Sequence, residues 1–68
     1  MARVIKCELE VELRPLSERS ELFGIYSMVT DARISKRGYP LRDAKAKAAE
    51  MFEKQITEWE EIRRCSSR

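Results

Sequence analysis

The sequence predicts an α+β fold in which two long antiparallel strands, a β-hairpin, pack on one long C-terminal α-helix. Three stretches carry this expectation. Residues 4–13 alternate strictly between apolar and charged side chains. Residues 22–30 form a second apolar run rich in strand-forming types, and residues 41–64 repeat apolar residues at helical spacing. All 68 residues are expected to form one domain.

In the first stretch Ile5, Cys7, Leu9, Val11 and Leu13 alternate with Lys6, Glu8, Glu10 and Glu12. Period two is the signature of a strand with one dry and one wet face, so a single strand is expected over 4–13. Pro15 follows and ends it, because proline cannot donate to a ladder. Such a strand spans roughly 33 Å at about 3.3 Å per residue. Residues 14–21 are a polar connection in which Ser17 is suited to cap a helical turn.

The second strand is expected over 22–30. Phe23, Ile25 and Val29 share one face; Leu22, Tyr26 and Met28 share the other. A strand apolar on both sides predicts a cover for the second face, which makes Leu22, Tyr26 and Met28 a candidate sheet-face interface. The alternative is that they fill the rim of a small core. Asp31 can turn the chain. A short third strand over 32–36, with Ile34 inward, then competes with a bent continuation of the second. The predicted order is β-β-(β)-α. Lys36, Arg37 and Gly38 form a turn, and Tyr39-Pro40 leads into the helix.

The helix is expected over 41–64. Leu41, Ala44, Ala48, Phe52, Ile56, Trp59 and Ile62 recur every three or four residues. Pro40 precedes the run, where a missing N–H costs least, and no glycine or proline interrupts it. Asp43 with Lys47 and Glu50 with Lys54 add supporting pairs four residues apart. At 1.5 Å per residue the helix is roughly 36 Å long, close to the length of the first strand. A frayed tail is expected over 65–68.

Composition narrows the chemistry. A chain of this size buries only about 60% of its unfolded surface, so its core is marginal and association with another chain is the expected supplement. With Cys7 and Cys65 the only cysteines and no histidine, neither a disulfide framework nor a four-ligand zinc site is expected. A reducing, cytoplasmic setting fits. No apolar run approaches the ~20 residues of a membrane span, and residues 1–10 lack the apolar stretch of a secretory leader. There is no histidine base and no glycine-rich phosphate loop, since Gly24 and Gly38 are the only glycines. Ser17, Ser20 and Ser27 have no partner base. No catalytic residue, cofactor or metal is therefore expected. Glu8, Glu10 and Glu12 read as a solvated strand face that discourages edge association, ahead of a cation site.

The net charge of +2 is uninformative, but its distribution is not. Arg33, Lys36, Arg37, Arg42, Lys45 and Lys47 form a basic band opposed only by Asp43, and five glutamates follow between Glu50 and Glu61. Cations in the first turns of a helix oppose its dipole, and such a broken rule points to a binding site for protein or phosphate. Residues 42–49, Arg-Asp-Ala-Lys-Ala-Lys-Ala-Ala, are similar to the opening of the last helix of double-stranded-RNA-binding domains. The resemblance covers eight to ten residues, and that family's N-terminal helix has no counterpart here. It implies a β-then-α layout with phosphate contacts by Arg37, Arg42 and Lys45.

The functional expectation is a small non-enzymatic protein-interaction module. It is expected to self-associate as a homo-oligomer and to act as a regulator, adaptor or inhibitor of the kind phage and mobile elements carry. The alternative is a nucleic-acid-binding module using the basic band. No membrane association is expected.

Overall fold

The computed structural model describes residues 2–64 and shows a five-stranded antiparallel sheet with one helix. The elements are β1 (Ala2–Cys7), β2 (Val11–Pro15), β3 (Leu22–Ser27), β4 (Tyr39–Pro40), α1 (Leu41–Met51) and β5 (Trp59–Arg64). In space the strands run β4-β3-β2-β1-β5. The α+β class and the antiparallel sheet are as expected. Strand number, strand order and the position of the helix are not.

The first correction is in residues 4–13, which are two strands. The chain reverses through Glu8, Leu9 and Glu10, with Glu10 in the left-handed region at φ 60°. A three-residue reversal ending in a left-handed residue is a common hairpin connection. Ile5 lies opposite Leu13 and Lys6 opposite Glu12. Odd-numbered residues therefore keep the same face before and after the turn, and the alternation runs through it without a break.

The second correction concerns 22–40. The strand stops at Ser27, and the chain turns through 28–31 with Asp31 at φ 57°. Val29, expected inward, is 74% exposed in that turn. Of the short strand expected over 32–36, only a single bridge forms, Arg33 opposite Tyr26. Ser35 points inward in place of Ile34: it is buried, and its hydroxyl accepts the Ile25 N–H at 3.0 Å. The return to the sheet comes later, where Tyr39 pairs with Phe23 and Pro40 with Leu22.

The third correction is the helix, which ends at Met51. Phe52 caps it and Glu53 turns left-handed at φ 51°. The Glu53 N–H reaches the Glu50 carbonyl at 3.1 Å and the Lys54 N–H reaches Ala49 at 3.2 Å. These paired bonds make a Schellman stop, usually built on glycine. The chain then returns as β5, antiparallel along all of β1 from Ala2–Arg64 to Cys7–Trp59. The tail expected over 65–68, and Cys65 with it, lies outside the described residues.

Register gives the sheet a simple rule. Phe23–Tyr39, Leu13–Ile25, Ile5–Leu13 and Ile5–Glu61 are all opposed pairs, so odd-numbered residues face α1 throughout. Ile5, Leu13, Phe23 and Ile25 form the core with Ala44 and Ala48 of α1. Tyr39, Leu41, Met51, Ile56 and Trp59 pack around them. Trp59 and Ile62 were expected on one helical stripe; as parts of a strand they face opposite ways.

The stop at residue 53 gives a test by sign. In a continuous helix Glu53→Gly costs about 1 kcal/mol. At a left-handed position it relieves a strain of roughly 1 kcal/mol, so Glu53→Gly is expected to raise the thermal midpoint. A lower midpoint would argue for helix beyond residue 51.

Candidate functional site

Among the described residues, no helix or further strand lies against two surfaces of the sheet: the face away from α1, and the outer edge of β5. The helix lies over β2, β3 and β4 and makes no close backbone approach to β1 or β5.

The open face carries even-numbered residues. Lys6, Glu12 and Tyr26 form one cross-strand row, and Arg14 and Gly24 are opposed in the next. Without a helix above it, this face is roofed by its own side chains. The Arg14 guanidinium hydrogen-bonds Glu12 and Asp31 and lies over the Tyr26 ring, 4.6 Å from its centre. A Cβ at Gly24 would meet the side chains of Arg33 and Tyr26 at 3.0 Å and Leu16 at 3.2 Å. The absent side chain lets those three lie flat across the strand. Gly38 makes similar room for Leu16 beside Leu22.

Glu12 shows how far this roof dries the sheet. Expected on a wet face, it is only 1% exposed. A buried carboxylate needs a cationic hydrogen-bond partner, and Arg14 supplies one. Burial on its own would lower the Arg14 pKa, but its bonds to Asp31 and Glu12 and their charges outweigh this and raise it. The expected glutamate row is dispersed. Glu8 accepts from the Thr57 backbone N–H at 3.1 Å and its hydroxyl at 3.0 Å, Glu10 occupies the hairpin turn, and Glu12 is buried. Among the described residues no group of three or more His, Cys, Asp or Glu is placed to hold a metal ion.

The strand at the open edge is held by its full-length ladder with β1. Glu8 ties the segment before β5 to the β1–β2 turn through Thr57. Cys7, half-buried, lies opposite Trp59. An open groove of about 580 Å³ runs here between Lys6, Cys7 and Glu8 on one side and Thr57 to Glu60 on the other. Further along, Arg3 pairs with Glu61. That hydrogen bond, together with the charges of Arg3, Arg63 and Lys45, outweighs desolvation and holds the Glu61 carboxyl below its ordinary pKa.

The residues singled out from sequence fall as follows. Leu22 and Tyr26 lie on the open face, Leu22 at 42% exposure, with Met28 in the turn just beyond their strand. Leu16 and Ile34, not singled out, are also exposed. The row Leu22, Gly24, Tyr26 points to this face, but only the β2–β3 register brings Leu16 to it. The basic band is not one surface. Arg33 lies across Gly24 on the open face. Lys36 and Arg37 sit in the turn before β4, and Arg37 stacks 5.8 Å from the Tyr39 ring centre. Arg42, Lys45 and Lys47 ride on α1 across the sheet; Lys47 reaches Glu50 at 3.4 Å. The RNA-binding resemblance fares similarly, because its helix is followed here by a strand in the sheet.

No helix among the described residues is long and apolar enough to cross a membrane. The chain matches no family model, no curated protein and no solved structure.

Removing the Arg14 side chain is expected to cost about 1.5–3 kcal/mol in denaturant unfolding, as for other charged hydrogen bonds. Asp31→Asn should cost far less, since Asp31 is exposed; equal losses would place the weight of the cluster elsewhere. Glu61 gives a pH test. Its carboxyl titration, followed by carbon NMR, should have a midpoint below 4.5, and Arg3→Gln should raise it. A lowered folded pKa means that this contribution is present above the ordinary value and lost as pH falls through the lowered one. An unchanged midpoint in Arg3→Gln would remove the ion pair from the account.

Proposed function

We propose that this chain is a non-enzymatic protein-interaction module whose first partner is a second copy of itself. The observation that carries the reading is the mismatch between helix and sheet. One helix, Leu41–Met51, covers part of one face of a five-stranded sheet. The other face exposes Leu16 and Leu22 around Gly38, and the sheet ends in a full-length strand beside which no other strand of the described residues lies. Small domains with open sheet surfaces are stabilised when another chain covers them.

The expected partner class follows from the surface chemistry. The open face is apolar at Leu16 and Leu22 and charged at Arg33 and Lys6, a mixture suited to a protein surface. The six cations of the basic band are divided between the two sides of the sheet and the turn before β4, so no continuous phosphate track supports the nucleic-acid reading.

Sedimentation equilibrium across micromolar to millimolar concentrations tests the reading. A dimer whose fraction rises with concentration is expected. A monomer throughout that range overturns it.

A further inference from the structure

The self-association proposed above has a specific geometry. We infer that β5 pairs antiparallel with β5 of a second copy, on a two-fold axis through Ile62, joining two sheets into one. This rests on the self-association reading and names its surface.

The first support is the state of the two sheet edges. β4 is two residues long and ends in Pro40, which blunts that edge. β5 has six residues, no proline, and an unbroken register with β1 from end to end. The outer backbone groups of β5 form a regular row, and among the described residues no strand lies beside it.

The second support is the sequence of that edge. Glu60-Glu61-Ile62-Arg63-Arg64 has opposite charges at equal distances from Ile62. A two-fold axis perpendicular to the sheet keeps each residue on its own face, so opposed residues must share parity. Centred on Ile62, the pairing sets Glu61 opposite the partner's Arg63 and Glu60 opposite the partner's Arg64. Both pairs occur twice by symmetry. Moving the axis to Glu61 or Arg63 sets that residue against its own copy. Parallel pairing in register stacks glutamate on glutamate and arginine on arginine. The charge pattern thus favours one register and opposes its neighbours.

The third support lies inside the chain. Arg63 is directly opposite Arg3 in the β1–β5 ladder, a like-charge pair, and Glu61 bonds to Arg3. The partner's Glu61 places an anion beside Arg63 on its other side and offsets that repulsion.

Charge reversal in the full-length chain tests this. Glu61→Arg and Arg63→Glu are each expected to weaken self-association at least tenfold by sedimentation, because each sets like charges across the axis. An equimolar mixture of the two should recover a heterodimer, since every opposed pair is again complementary. A second measurement does not depend on those variants folding. With Cys7→Ser and Cys65→Ser, Ile62→Cys should cross-link to a covalent dimer on mild oxidation, and Glu60→Cys should not, because only position 62 meets its own copy. A dimer that survives both reversals, or that cross-links no better at 62 than at 60, overturns the edge pairing. If that dimer is instead dissociated by Leu22→Asp, self-association stands and the open face carries it. A wild-type monomer overturns both.

Discussion

The fold depends on one row of side chains. Ile5, Leu13 and Ile25 are aligned across three neighbouring strands and closed from above by Ala44 and Ala48. The two alanines are fully buried, and their small size lets the helix backbone approach the sheet closely. A larger residue at either position would lift α1 away from the strands and reopen the core. The helix is short, so its hold on the sheet is concentrated at these contacts, and its backbone does not come close to β1 or β5. The unsatisfied parts of the molecule follow from that geometry.

Three acidic residues in left-handed conformation explain most of what the chain conceals. Glu10 closes the first hairpin, Asp31 the turn after β3, and Glu53 the helix. Turns of these kinds are normally marked by glycine or asparagine. At Asp31 the turn is legible from the residue type, but glutamate at positions 10 and 53 removes the local signal while the geometry persists. Each conformation is costly by itself and is held by non-local contacts: the Met28 N–H bonds the Glu10 carbonyl, the Arg14 guanidinium bonds Asp31, and Ile56 and Trp59 pack onto the core beyond Glu53.

Several charges pair across the strands of the sheet. Lys6 opposes Glu12, Arg14 joins Glu12 to Asp31, and Arg3 reaches Glu61. Composition showed these charges as bands along the chain, a basic one and then an acidic one. Folding cuts across the bands, because antiparallel pairing juxtaposes residues distant in sequence. The basic band is split between the two sides of the sheet. The glutamates and arginines at the end of the chain, whose local order is a plain polar run, become a self-complementary edge once β5 is recognised as a strand.

The sequence by itself determined the α+β class, the inward set Ile5, Leu13, Phe23 and Ile25, the helix start after Pro40, and Leu22 and Tyr26 on one face of their strand. These follow from local periodicity and from proline's fixed backbone, which act over a few residues. Tertiary structure alone decided the rest. A three-residue turn preserves the parity of a strand, so one strand and a hairpin share one pattern over 4–13. Apolar residues three apart fit a helical stripe as well as a strand with two buried faces, so Trp59 and Ile62 are ambiguous until β1 pairs with them. That pairing joins residues nearly the whole chain apart, and no local preference encodes it.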